Sequence, residues 1–152
     1  MVKIIIYTGL SLSFDEAKEI LDSHDDVEVI YKRPIKRGDL GHDIKENPDI
    51  IGIIDGVFHQ NSSVGHKEIL NVINKGITVV GASSMGALRA SELDDLGMVG
   101  IGYVYRQYRS GAITSDDDVA NYNYDLVFCN DKPLEQIVPE FIEFISNKVF
   151  KK

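Results

Sequence analysis

The run from Gly81 to Leu93, Gly-Ala-Ser-Ser-Met-Gly-Ala-Leu-Arg-Ala-Ser-Glu-Leu, constrains this chain more than any other stretch. It follows Ile77-Thr78-Val79-Val80, a β-branched apolar run that suits a buried strand, and it opens an Ala- and Leu-rich segment that suits a helix. Ser84 is therefore expected at a strand-to-helix turn. Ala82 and Gly86 bracket it in the small-x-Ser-x-Gly spacing of a nucleophile elbow, where bulk would block so sharp a corner. The N–H groups of the first helical turn and the positive end of the helix dipole then form an anion site beside the hydroxyl. A serine N-cap at a small-residue junction is also common in any α/β domain, so spacing alone does not make a nucleophile. With about 100° of turn per residue from Ser84, Met85, Leu88, Leu93 and Leu96 share one arc, and Arg89 and Glu92 fall inside it. Two charges on a buried stripe are either a structural ion pair or an anion-binding or catalytic pair.

The rest of the chain alternates strand and helix signals. Lys3-Ile4-Ile5-Ile6-Tyr7 is apolar without alternation, as a central parallel strand is. The loop Thr8-Gly9-Leu10-Ser11-Leu12 follows, and Ser13-Phe14-Asp15-Glu16 is a capping box that opens a helix to about Ser23. Val27 to Tyr31 reads as a second strand, followed by the only basic cluster of the chain, Lys32-Arg33-Pro34-Ile35-Lys36-Arg37. Such a cluster is either a solvated loop or a contact for an anionic substrate or acidic partner surface. Ile50 to Ile54 is a third buried strand ending in Asp55-Gly56, where open α/β sheets build their sites. A helix is expected from Val64 to Lys75, capped by Ser63 and stopped by Gly76. His66 projects from its buried face, where burial and the helix N-terminus favour neutral imidazole, a base. The alternative is a core histidine bonded to a backbone carbonyl.

Gly97 to Gly102 reads as a flexible breaker, Tyr103 to Arg109 as a short helix, Tyr124 to Phe128 as a fifth strand, and Pro133 onward as a terminal amphipathic helix. Asp116-Asp117-Asp118 suits a helix N-terminus without any metal, since no distant cluster completes a ligand set. The expected architecture is one α/β domain over residues 1–152, a doubly wound, mostly parallel sheet of about five strands with helices on both faces. The loops after Tyr7, Asp55 and Gly81 converge on one edge.

A formal net charge of −8 argues against nucleic-acid binding. The lone Cys129 excludes a disulfide framework, and the chain shows neither a secretory signal nor an apolar run long enough to span a membrane, so it reads as cytoplasmic. No cofactor is called for. A homo-oligomer is compatible with these features.

Five segments together resemble the TfuA-like proteins: Ile54-Asp55-Gly56-x-Phe58, His66-Lys67-Glu68-Ile69-Leu70, the Gly81 to Leu93 run, Gly97-Met98-x-Gly100-x-Gly102, and the Asp117-Asp118 pair before Ala120. The Arg33-Pro34-x-x-Arg37-Gly38-Asp39 loop fits as well. The resemblance implies partnership with a YcaO-type enzyme that converts backbone amides to thioamides, using ATP to activate the amide. The TfuA-like partner would deliver sulfur, with a ubiquitin-like carrier ending in a glycyl thiocarboxylate as donor. Targets in such systems include ribosomally made peptides and a glycine of methyl-coenzyme M reductase in methanogens.

Joined to the residues, the resemblance gives a mechanism in which Ser84, deprotonated by His66, attacks the thiocarboxylate carbon. Helix N–H groups and Arg89 hold the developing charge, and sulfide leaves. Asp55 or Glu68 orients His66, and the same-helix position of Glu68 favours Asp55. Arg33, Arg37, Gly9, Ser11, Met85 and Gly86 are the candidates for substrate or partner binding. Two other readings stand beside it: a non-catalytic adaptor that docks to the YcaO enzyme, and a general small-molecule serine hydrolase.

Overall fold

The structure, a computed structural model, describes residues 2–9, 14, 15, 18, 27–57 and 62–112, without the side chains of Ser84 and Tyr103. Val2–Tyr7 (β1), Val27–Lys32 (β2), Ile50–Ile53 (β3), Thr78–Gly81 (β4) and Val99–Gly100 (β5) form one sheet in the order β2-β1-β3-β4-β5. Every neighbouring pair is parallel. Asp39–Asp43 (α1), His66–Asn74 (α2), Ser83–Leu93 (α3) and Tyr103–Ser110 (α4) are helices, and Phe14, Asp15 and Lys18 are helical too. This is the α/β, parallel architecture that the unbroken apolar runs imply, because strands covered on both faces have no solvent side to alternate with.

The pleat divides those runs between two cores. Ile5, Tyr7, Ile51, Ile53 and Val79 turn to one face, where they meet Leu40 of α1, Ile69 and Val72 of α2, and Met85, Leu88 and Leu93 of α3. Ile4, Ile6, Ile50, Ile54 and Val80 build the core of the opposite face. On β2, Tyr31 packs its ring at a tilt against helical Phe14, with the Lys18 ammonium 5.7 Å from the ring centre.

Several boundaries move. The fifth described strand is Val99–Gly100, inside the stretch that reads as a flexible breaker. Two residues carry too little periodicity to signal a strand, and Gly100 is tolerated because the Tyr105 ring lies where its side chain would be. The helix expected from Val64 begins at His66, with Gly65 as N-cap in place of Ser63. Glu68 explains the shift, because its Oε2 accepts the Gly65 N–H at 2.8 Å, the reciprocal half of a capping box. The short helix α1 and the 3-10 turn Ile44–Glu46 occupy a stretch with no sequence signal of its own. The capping box at Ser13, the Asp116-Asp117-Asp118 cluster, Cys129, the Tyr124 to Phe128 strand and the helix from Pro133 lie outside the described residues, apart from Phe14, Asp15 and Lys18. Among the described residues no helix is long and apolar enough to cross a membrane.

Two contacts position the sheet edge that carries the candidate site. The first is glycine-dependent: a Cβ on Gly86 would stand 1.7 Å from the Ile53 carbonyl oxygen, and one on Gly81 would stand 2.1 Å from the Gly86 carbonyl oxygen. The first turn of α3 therefore lies on the backbone of β3 and β4, at a distance only glycine allows. The second is a buried polar cluster: the Tyr7 hydroxyl donates to Asp43 Oδ2 at 2.5 Å, while Lys32 Nζ and His42 Nδ1 lie 3.3 and 3.1 Å from Asp43 Oδ1. Burial alone would raise the Asp43 carboxyl, but the Tyr7 hydroxyl, His42 and Lys32 together hold it below the ordinary carboxylate range. Burial, and then the bond to Asp43, push the Tyr7 hydroxyl far above its ordinary value.

Gly86→Ala is expected to cost about 3 kcal/mol or more, or to prevent folding. Gly41→Ala, on α1 with no heavy atom within 4 Å of the added carbon, should gain roughly 0.5–1 kcal/mol; urea unfolding checks both. Because the folded carboxyl of Asp43 is depressed, its stabilisation is full above the unfolded value of about 3.9 and is lost as pH falls through the folded one. Asp43→Asn should therefore flatten the acid limb of a stability–pH curve measured from pH 7 downward.

Candidate active site

The sheet order reverses between β1 and β3: the chain leaves β1 for β2, then crosses back to β3. In open α/β sheets the crevice beyond the carboxyl ends at such a reversal is where ligands bind. Here the loops are tied together by backbone. The Ile54 and Asp55 N–H groups donate to Tyr7 O at 3.0 and 3.2 Å, Ala82 N to Ile53 O at 2.9 Å, and Thr8 N to Lys32 O at 3.0 Å. Asp55, buried, accepts the Gly9 N–H on Oδ2 at 2.7 Å. The convergence of the loops after Tyr7, Asp55 and Gly81 is thus realised, and Asp55 fixes the β1 loop to it.

At the β4–α3 corner the backbone turns on Ser83. Ala82 is extended, Ser83 has φ 61°, and helix follows directly. A left-handed φ on a non-glycine residue costs on the order of 1 kcal/mol and persists only where the surroundings hold it. The sequence puts Ser84 at the corner; the structure puts Ser83 there, buried, and makes Ser84 the second residue of α3. The side chain of Ser84 lies outside the described set. Both adjacent serines fit the small-residue spacing, and the sequence alone does not choose between them.

Lower on α3 the charged pair on the buried stripe forms a clasp with the segment before α2. Arg89 is buried, donates Nε–H to Val64 O at 2.9 Å and places Nη1 3.0 Å from Glu92 Oε1. Glu92 Oε2 is hydrogen-bonded to His66 Nε2. The carboxylate on the imidazole is therefore Glu92, neither of the two expected. Glu68 is engaged elsewhere, with Oε1 accepting the Gly38 N–H at 2.7 Å and Oε2 the Gly65 N–H. His66 is also not buried: its side chain is 45% exposed, at the first residue of α2, one turn before the buried Ile69. Glu92 follows Ser84 by eight residues, about 12 Å of helix axis, so the imidazole joins α3 well below the corner. Arg89 is engaged by Val64 and Glu92, below the first turn of α3.

The remaining candidates separate. Met85 is fully buried and packs at Gly56, and Gly86 supports the helix–sheet contact, so both serve the core. Arg37 donates from its backbone to Ser62 O at 2.7 Å and from Nε to Ser63 O at 3.2 Å, holding the segment that leads to His66. Arg33 is exposed. Ser11 lies outside the described residues. Among those residues no three His, Cys, Asp or Glu side chains gather to hold a metal ion.

The sequence model of the TfuA-like protein family matches residues 55–137, more than half of the chain. The chain belongs to the TfuA-like family. No curated protein matches it. The matched region of this TfuA-like protein takes in Asp55, His66, the serine corner and the Arg89–Glu92 clasp. It excludes β1, β2 and the Arg33–Arg37 loop, so the site is assembled from the family region together with a flanking part of the chain.

Arg89→Ala strands the Val64 carbonyl and the Glu92 carboxylate, and should cost roughly 2–3 kcal/mol in urea unfolding. Arg89→Lys should recover little of this, since one ammonium cannot reproduce the two-direction fork that serves Val64 and Glu92 together.

Proposed function

We propose that this TfuA-like protein is the sulfur-delivering partner of a YcaO-type enzyme in backbone thioamidation, releasing sulfide from a thiocarboxylated ubiquitin-like carrier through a serine nucleophile. Family membership supports the partnership. The observation that carries the chemistry is the tight corner after β4, where Ser83 takes a positive φ and the helix starts at once, so that Ser84 stands in the first turn of α3 among its N–H groups. In the reaction Ser84 Oγ gives up its proton and bonds to the thiocarboxylate carbon, and first-turn N–H groups receive the oxyanion. The C–S bond then breaks and the sulfur takes the proton as hydrosulfide. Water cleaves the acyl-serine, returning the carrier as a carboxylate and the serine as a hydroxyl.

A second reading has its own support. The position of His66 about two turns below Ser84, together with the binding of Arg89 to backbone, suits an adaptor that docks to the YcaO enzyme and positions the donor. The two separate in one assay. With purified protein, thiocarboxylated carrier and no YcaO enzyme, sulfide release is expected, falling at least about a thousandfold in Ser84→Ala. Ser83→Gly, which relieves the positive φ and keeps Ser84, should retain release. Sulfide formation only when the YcaO enzyme is present, unaffected by Ser84→Ala, establishes the adaptor. Turnover of simple activated esters in preference to the carrier would make it a general hydrolase.

A further inference from the structure

Away from the serine corner, α1 and α2 flank an open groove of about 760 Å³. Its rim carries Arg37, Lys67 and Lys75, while Ile44 and Val72 give it apolar contact. Its backbone is bare at Gly38 and Gly41, where an added Cβ would meet nothing within 4 Å. The neighbouring acids are already engaged: Asp39 lies 2.6 Å from Lys36 Nζ, and both oxygens of Glu68 accept backbone N–H groups. Lys67 and Lys75 form no ion pair among the described residues. A positive groove on a chain of net charge −8 is a local exception to a field that otherwise repels anions.

We infer that this groove binds an extended acidic segment of a partner protein. Lys67 on α2 and Lys75 at its C-cap stand eight residues apart, about 12 Å along the axis. In an extended chain rising about 3.3 Å per residue, carboxylates four positions apart span that distance and point to the same side. The fitting motif is therefore acid-x-x-x-acid. Arg37 meets one end of the segment, small residues between the acids lie against Gly38 and Gly41, and apolar stems touch Ile44 and Val72. The inference does not depend on the chemistry assigned to Ser84.

Fluorescence anisotropy with a fluorescein-labelled Gly-Glu-Gly-Gly-Gly-Glu-Gly peptide tests it, against the same peptide with Lys in place of Glu. The Glu probe should bind at least about tenfold more tightly, with affinity falling as salt rises. Lys67→Glu combined with Lys75→Glu should weaken it about tenfold or more, while Lys3→Glu at the far end of β1 and Ser84→Ala leave it unchanged. Circular dichroism establishes that each variant is folded. Equal affinity for the two peptides, or equal weakening by Lys3→Glu and the groove variants, would overturn the groove as a specific site.

Discussion

The architecture rests on how closely the first turn of α3 approaches the sheet. The Ile53 carbonyl and the Gly86 backbone occupy space that any side chain would need, so β3, β4 and α3 form one unit with almost no freedom between them. That contact fixes where the chain turns after β4, and the turn places the strain on Ser83. It also sets the height of Arg89 and Glu92 on the helix, and so where His66 is caught. A change at Gly86 would be felt along that whole chain of contacts.

Polar groups then decide how the flanking loops are arranged. Glu68 joins the start of α2 to Gly38, Arg37 holds Ser62 and Ser63, and Asp55 holds Gly9. Each ties a segment with few apolar residues to the frame by a charged or backbone hydrogen bond, which in a partly buried setting contributes more than an exposed ion pair. Among the described residues these ties leave Lys67 and Lys75 without ion pairs at the groove, beside the bare glycine backbone of Gly38 and Gly41. The serine corner and the cationic groove are thus separate products of one set of loop restraints.

For the role proposed above, the geometry offers two distinct surfaces. One is a strained corner with N–H donors, suited to an acyl carbon. The other is an open, positively rimmed groove, suited to holding a protein chain. The serine corner belongs to α3, whereas the groove runs between α1 and α2 and takes in His66.

Hydrophobic pattern by itself determined the parallel sheet: the unbroken runs at Ile4 to Ile6, Ile50 to Ile53 and Val79 to Val80 leave no exposed face, and that property is local to each strand. The strand-to-helix junction at Gly81 to Gly86 was legible for the same reason, since small residues in that spacing have few other uses. Only the tertiary structure decided that Val99–Gly100 completes the sheet, that Ser83 takes the strained turn, and that Glu92 is the acid on His66. A two-residue strand is specified by its neighbour's edge, and the choice between adjacent serines by packing of the whole helix. The pairing of residues twenty-six positions apart depends on the relative height of two helices, a quantity no local sequence pattern encodes.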